Sequence, residues 1–249
     1  MIQLSNVGLR YPQGSVALRN VTVSLEPGSL YFLTGKSGAG KSSLLKLLYF
    51  ALRPTSGDMR VLGEDARRVN RDQIAHLRRR IGVVFQDFQL LEHLTVYENV
   101  ALPLVVAGVR EAAYRSNVLE MLEWVKLSDK LSARPPFLSG GEKQRVGIAR
   151  AMVSVPDLIL ADEPTGSVDP EMGARIMALF AEMHRLQRTV LIATHDIEMV
   201  RKSGAPVLHL SDGVLHRMDG GGQGPTNPQG PGAPGRPGAL GGDFSRGFR

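Results

Sequence analysis

The stretch "FLTGKSGAGKSSLLKLL", Phe32 to Leu48, sets glycines, lysines and serines between an apolar run and a leucine-rich one. The run before it, "LYFLT", is short and almost wholly apolar, as expected of a strand buried on both faces. The run after it, "KSSLLKLLYFAL", puts Leu44, Leu45 and Leu48 on one helical face, and the helix is expected to stop before Pro54. The order is therefore strand, glycine turn, helix. Within the turn, Gly35, Gly40, Lys41 and Ser42 match G-x-x-x-x-G-K-[ST], and the flanking elements are the ones that give this pattern meaning. Glycines let successive backbone N–H groups point inward around phosphate oxygens, and the helix N-terminus adds the positive end of its dipole. The expected phosphate cradle is Gly35, Lys36, Ser37, Gly38, Ala39, Gly40, Lys41, Ser42 and Ser43. Lys41 is expected at the β- and γ-phosphates and the Ser42 hydroxyl on Mg²⁺.

Outward from this turn the chain reads as a mixed α/β fold. Residues 2 to 25 alternate apolar and polar positions, as in paired antiparallel strands ending at "EPGS". Residues 88 to 150 read as mostly helical, with Val118, Leu122 and Val125 at helical spacing, and form a candidate subdomain. From Leu158 the pattern is "LILAD", a helix over about 171 to 187, then "TVLIAT", which implies a mainly parallel sheet covered on both faces. "APVLHLSDGVLHRM" reads as a hairpin about Asp212 and Gly213, and the ordered domain is expected to span 1–218. Residues 219–249, with Pro225, Pro228, Pro231, Pro234 and Pro237 among scattered glycines, are expected to be a disordered tail of polyproline II character.

Bulk properties narrow the classes. A chain of 249 residues with 43% hydrophobic residues suffices for a real core. The absence of cysteine excludes disulfides and thiolate metal sites and fits a reducing compartment. The start "MIQLSNVGLRYPQG" has neither the basic head nor the apolar run of a secretory signal. The longest apolar stretch, "VALPLVVAG" from Val100, is far shorter than a spanning helix and contains Pro103. A net charge of +6 invites a nucleic-acid reading, but the arginines between Arg53 and Arg80 lack the interleaved aromatics of a stacking platform, so no direct nucleic-acid binding is expected.

Two further segments point to triphosphate hydrolysis. "LILADE" is an apolar strand that would deliver Asp162 to a magnesium ion, with Glu163 next to it as a general base for the attacking water. "LSGGEKQRVGIARAM" would begin a helix capped by Ser139, with Gly140 and Gly141 in its first turn as a second phosphate-binding helix end. Here the chain resembles the ATP-binding cassette (ABC) family, whose signature LSGGQ appears with Glu142 in the last place, over about residues 1 to 216.

The resemblance implies a P-loop α/β fold of the ABC ATPase type, with an antiparallel β subdomain and an α-helical subdomain over about 88–150. It implies further roles, residue by residue. Gln86 in "VVFQD" is similar to the glutamine that senses magnesium and the γ-phosphate, and His195 in "ATHD" to the switch histidine. Tyr11 is similar to the aromatic that stacks on adenine, and Asp169 in "SVDP" to the aspartate that communicates between sites. It implies ATP and Mg²⁺ as ligands, the metal held by Ser42, Gln86 and Asp162. It also implies a head-to-tail homodimer in which the signature of one copy faces the glycine turn of the other.

The short interval between Lys41 and Ser139, free of cysteine, does not resemble the DNA-associated members with coiled coils or zinc modules inserted there. In "LRRRIGVVFQDFQLLEHLTVYENVALPL", "ADEPTGSVD", "ATHDIEMV" and "LSDG" the chain resembles the FtsE-type ATPases of bacterial cell division. That likeness implies an integral membrane partner of FtsX type, FtsZ or other divisome proteins as further candidates, and regulation of peptidoglycan hydrolysis. The implied place is peripheral, on the cytoplasmic face of the inner membrane. ATPase subunits of lipoprotein-releasing or macrolide-type exporters are the alternative. The departures from the FtsE pattern are Ser42-Ser43, Ser167 and the Gly/Pro tail. The segment "DFQLLEHLTVYENV", with Leu90, Leu91 and Leu94, is expected to dock the membrane partner.

Overall fold

The computed structural model describes residues 1–218. The expected tail, 219–249, lies outside the described residues. Two sheets share the chain. The first is antiparallel: β1 (Ile2–Arg10) pairs with β2 (Val16–Leu25) and, on its other edge, with β4 (Ser56–Val61), which pairs with β5 (Glu64–Asp65). The second has the order β10-β9-β3-β8-β7-β6. In it β3 (Leu30–Thr34), β6 (Ile81–Val84), β7 (Leu158–Asp162), β8 (Thr189–Ala193) and β9 (Val207–Ser211) run parallel, and β10 (Val214–Met218) closes the edge antiparallel to β9. The β9–β10 turn is Asp212-Gly213, both with positive φ (50° and 79°), as a tight two-residue hairpin requires.

Helix α1 (Lys41–Leu48) lies between the two sheets, so Leu44, Leu45, Leu47 and Leu48 are all buried. The one-faced pattern expected of this helix omits Leu47, which a helix covered on two sides also buries. The helix is also shorter than its sequence suggests. Phe50 takes φ 60°, Ala51 N–H donates to the Lys46 carbonyl at 2.8 Å, and the chain turns away well before Pro54. The helix does stop before Pro54, as expected, and Phe50 enters the core cluster that includes the antiparallel sheet.

A second apolar cluster covers the other face of the parallel sheet. Helices α3 (Val96–Val106), α4 (Glu111–Trp124) and α5 (Gly140–Met152) contribute Val100, Val118, Met121, Leu122, Val146 and Ile148, and α6 (Pro170–Arg185) adds Ile176, Leu179 and Phe180. Helices α2 (Arg71–Arg79) and α7 (Ile197–Ser203), with short 3-10 turns at Ser128–Lys130 and Pro135–Phe137, complete the described elements.

The arginine cluster has a local explanation. Arg53 donates to the Val69 carbonyl, Arg78 to those of Tyr49 and Phe50, and Arg67 to that of Gly57. Arg80 pairs with Asp157 at 2.7 Å, and Asp157 also pairs with Arg188 at 2.7 Å. These guanidinium groups brace loops and strand starts.

Candidate nucleotide site

Parallel strands open their carboxyl ends on one edge of the sheet, and the order β3-β8-β7-β6 sets the loops leaving those strands side by side. Gly35 comes directly after β3, Thr194 and His195 after β8, Asp162 ends β7 with Glu163 next, and Gln86 stands two residues beyond β6. In the chain these segments are scattered from Gly35 to His195. In the sheet they are neighbours.

The glycine turn is built for close approach. Gly35 has φ 146° and a Cβ there would collide with the Leu210 carbonyl; Gly40 has φ 106° and a Cβ would lie 2.6 Å from the Ala17 carbonyl. Lys36, Ser37 and Gly38 stand exposed at the tip, and Ala39 N–H donates back to the Lys36 carbonyl at 3.1 Å. Lys41 Nζ donates to the Gly35 carbonyl at 2.7 Å and to that of Lys36 at 3.3 Å, so its ammonium spans the loop. The N-terminus of α1 has no side-chain cap and no acidic residue in its first turn. Its first N–H groups and its dipole are left for an anion.

Asp162 accepts a hydrogen bond from Ser42. Burial pushes its carboxyl above the usual range and the neighbouring Glu163 adds to this, while the Ser42 hydrogen bond and the Lys41 and Lys46 ammonium groups pull the other way. A half-buried carboxylate bonded to a hydroxyl is a hard oxygen donor set. Mg²⁺ fits it, since that ion takes one or two protein oxygens and completes its shell with phosphates and water. Gln86 is exposed at the same edge.

Glu163 holds a left-handed backbone, φ 49°, uncommon for a residue with a side chain. Its N–H donates to the Ala193 carbonyl at 2.9 Å, and its carboxylate lies 2.9 Å from His195 Nδ1. The pairing places the proton on Nδ1 in the neutral ring, and the imidazole is 77% exposed. The sequence assigns Glu163 and His195 separate tasks and does not reveal that they touch. Tyr11 Oη lies 3.0 Å from Ser43 Oγ, which sets its ring beside the first turn of α1.

The second helix end is separate. Ser139 and Glu142 form a reciprocal capping box: Ser139 Oγ accepts from Glu142 N–H at 3.3 Å, and Glu142 Oε2 accepts from Ser139 N–H at 2.7 Å. The hydrogen bond from Ser139 N–H, above all, holds the Glu142 carboxyl below its ordinary range. A Cβ on Gly140 would meet open space, whereas one on Gly141 would lie 2.9 Å from the Ser167 carbonyl. Gly141 therefore has a local duty, admitting the loop that leads to Asp169. Asp169 caps α6 by accepting from Met172 N–H at 2.9 Å. A cleft of about 460 Å³ lies here, lined by Ser139, Gly141, Glu142, Arg145, Ser167 and Asp169 among others, with no residue of the glycine turn. Lys126 and Arg145 on its wall escape sequence reading because neither carries a motif role of its own.

The ABC transporter family model matches residues 18–166. The chain belongs to that family. This cassette is 47% identical over 216 residues to the cell division ATP-binding protein FtsE of Escherichia coli strain K12, covering 87% of this chain and 97% of that one. It is 46% identical to the FtsE of Mycobacterium tuberculosis, covering 87% and 95%, and 41% identical to that of Bacillus subtilis, covering 90% and 98%. Among solved structures it is similar to a dimeric post-hydrolysis state of the ATP-binding cassette MJ0796 bound to ADP and Pi, with TM-score 0.84, 34% identity, and coverage of 90% and 100%. A further dimeric structure of MJ0796, a bacterial ABC transporter cassette, matches with TM-score 0.84 at 35% identity, with the same coverage. The cassette is thus an FtsE-like ABC ATPase, its fold the P-loop α/β fold expected from sequence. No helix among the described residues is long and apolar enough to cross a membrane.

Proposed function

We propose that this cassette binds Mg-ATP on the glycine turn, closes as a head-to-tail homodimer, and drives an integral membrane protein of FtsX type during bacterial cell division. The observation that carries this is the convergence of Lys41, Asp162, Glu163, His195 and Gln86 on one sheet edge, with the Ser139 helix end opening on a cleft of its own. One chain holds both halves of a phosphate site without joining them, so a second copy completes each. The dimeric MJ0796 cassettes support this reading.

The division of labour rests on the contacts. Lys41 and the α1 N–H groups hold the β- and γ-phosphates. Ser42 and Asp162, with Gln86, hold Mg²⁺, which when bound neutralises phosphate charge. Glu163 accepts a proton from the water that attacks the γ-phosphorus, while the bond to the β-bridging oxygen breaks. His195 Nδ1–H orients the Glu163 carboxylate and answers to the γ-phosphate side. Tyr11 offers a ring to adenine. Ser139, Gly140 and Gly141 meet the partner copy's γ-phosphate, and Asp169 links the two sites.

Docking of the membrane protein is assigned to the surface beside Gln86. Leu91, five residues beyond Gln86, is 38% exposed and leaves a large apolar side chain in water, while Leu90 packs on the core and Leu94 is half-buried; Val105 (51%), Val106 (59%) and Val109 (39%) are exposed separately, at the C-terminal end of α3 and just beyond it. Of the three leucines read from sequence, Leu91 is the exposed one. Through such a partner the cassette would sit on the cytoplasmic face of the inner membrane, peripheral, regulating peptidoglycan hydrolysis, with FtsZ or other divisome proteins as further contacts. Glu163→Gln keeps the shape and removes the base, so turnover should fall by roughly 10² to 10⁴ while Mg-ATP binding persists and closed dimers accumulate. Sizing the variant with and without Mg-ATP tests this; a monomer in both conditions would overturn the dimer reading.

A further inference from the structure

Two neighbouring residues behind Gln86, Phe88 and Gln89, both hold left-handed backbones, φ 62° and 46°. Consecutive left-handed residues with side chains persist only where their surroundings enforce them. Locally, Phe88 N–H donates to the Phe85 carbonyl at 3.2 Å and Gln89 N–H to the Asp87 carbonyl at 2.7 Å; from outside the loop the same two residues are held by Arg150, near the C-terminal end of α5. Its guanidinium donates through Nη1 to the Gln89 carbonyl at 2.7 Å and through Nη2 to the Phe88 carbonyl at 2.8 Å. Burial pushes the Arg150 guanidinium below its usual value, and no carboxylate among the described residues pairs with it. A half-buried cation whose partners are two loop carbonyls, with no carboxylate, is a costly device. It is not surface decoration.

A second contact supports the same fit. A Cβ on Gly147, one turn earlier on the same face of α5, would stand 3.7 Å from the Phe88 carbonyl, so the loop rests on the helix there. The far end of the segment is fastened as well. Asn99 of α3, fully buried, accepts from Leu91 N–H at 2.9 Å and donates to the carbonyls of Leu91, Leu94 and Thr95. The segment from Phe88 to Thr95 is therefore bolted to α5 and α3.

We infer that Arg150 is a positioning residue that locks the loop carrying Gln86 to the helix carrying Ser139, so that the magnesium-side sensor and the helix end offered to the other copy move as one body. This rests on the proposed roles of Gln86 and Ser139. A helix of 13 residues is a rod of about 20 Å, with the clamp near one end and the capping box at the other. A small shift of the loop is then carried along this helix to the dimer face.

The test uses the full chain in the Glu163→Gln background. Arg150→Met keeps much of the apolar bulk and removes both donors. It should leave ATP affinity within about twofold of the parent but raise the ATP concentration needed for dimerisation by at least about tenfold, and Arg150→Lys should restore part of the loss. With Glu163 restored, Arg150→Met should lower kcat more than it changes KM. Because the protein has no cysteine, spin labels can be placed cleanly at Glu92→Cys with Lys143→Cys, and at Lys46→Cys with Lys143→Cys. With Arg150 present, Mg-ATP should change the Lys46–Lys143 distance and leave the Glu92–Lys143 distance unchanged. A shift in the loop-to-α5 distance, or native dimerisation in Arg150→Met, overturns the inference; so does a fixed α1-to-α5 distance. If ATP binding survived Lys41→Ala, it would be the function that failed instead.

Discussion

The N-termini of α1 and α5, both given to phosphate in the proposed site, are finished in opposite ways. Helix α1 starts from Gly40 in a left-handed conformation, with no side-chain cap and no acid in its first turn. Helix α5 starts from Ser139 with a full capping box closed by Glu142. An uncapped end leaves donors and dipole unanswered, which costs stability until an anion arrives. A capped end is stable alone but has its serine hydroxyl already engaged. On this contrast the proposed function takes α1 as the primary phosphate site and α5 as a self-capped end for a second copy.

The strongest challenge to the contrast is at α1. Lys41→Ala removes the cation that spans the loop through the Gly35 and Lys36 carbonyls. Nucleotide affinity should fall by about 100-fold or more, since buried phosphate charge would be left uncompensated. Calorimetric titration with Mg-ATP checks it, and an unchanged affinity would remove α1 from its place as the primary site.

At α5 the effects should be smaller and separable. Ser139→Ala should cost about 1 kcal/mol of stability, lowering Tm by about 3 °C, and should also weaken dimerisation of the Glu163→Gln protein. Ser139→Asp separates capping from recognition, because aspartate caps as well as serine but adds a negative charge. Its Tm should stay near the parent's while Mg-ATP no longer drives dimerisation. If Ser139→Asp dimerised normally, α5 would be a structural cap and nothing more.

The mildest difference is a pH dependence of opposite sign at the two ends. Glu142 has its folded pKa depressed by hydrogen bonds from Ser139. Its contribution to stability is therefore present above the unfolded carboxylate value of about 4 and is lost as pH falls through the folded value. Asp162 has its folded pKa raised, chiefly by burial. Its charge therefore opposes folding at neutral pH, and that penalty disappears as pH falls through the raised value. Asp162→Asn should accordingly raise the neutral-pH Tm by about 2 °C, an advantage that fades in acid. Glu142→Gln should lower Tm slightly at neutral pH and flatten its acid decline. Thermal melts from about pH 3 to 8 compare the two, and shifts of the same sign would mean that the carboxylates do not differ as described.

Much of the site is legible because its parts are local. A glycine turn between strand and helix, an apolar strand ending in Asp162 and Glu163, and a serine three residues before Glu142 each need only their immediate neighbours to be read. The β4–β5 pair and α2 go unread between the motifs, since short strands and a helix with Leu77 as its one fully buried residue carry little periodic signal. The Glu163–His195 contact is illegible for another reason. It joins ends of β7 and β8, which only the sheet order makes adjacent.

Which residues are candidates for phosphate chemistry is readable in the sequence, because capping, glycine conformations and strand-to-helix turns depend on backbone sterics within a few residues. The α/β class was settled there too, through its apolar periods. The order β3-β8-β7-β6, which gathers Gly35, His195, Glu163 and Gln86 on one edge although the chain visits β6 before β7 and β8, came only from the packed molecule. So did the burial of Arg150 against the Phe88 and Gln89 carbonyls. Such long-range contacts depend on which apolar faces pack together, and the free energy of that packing belongs to the whole core and to no one segment of the chain.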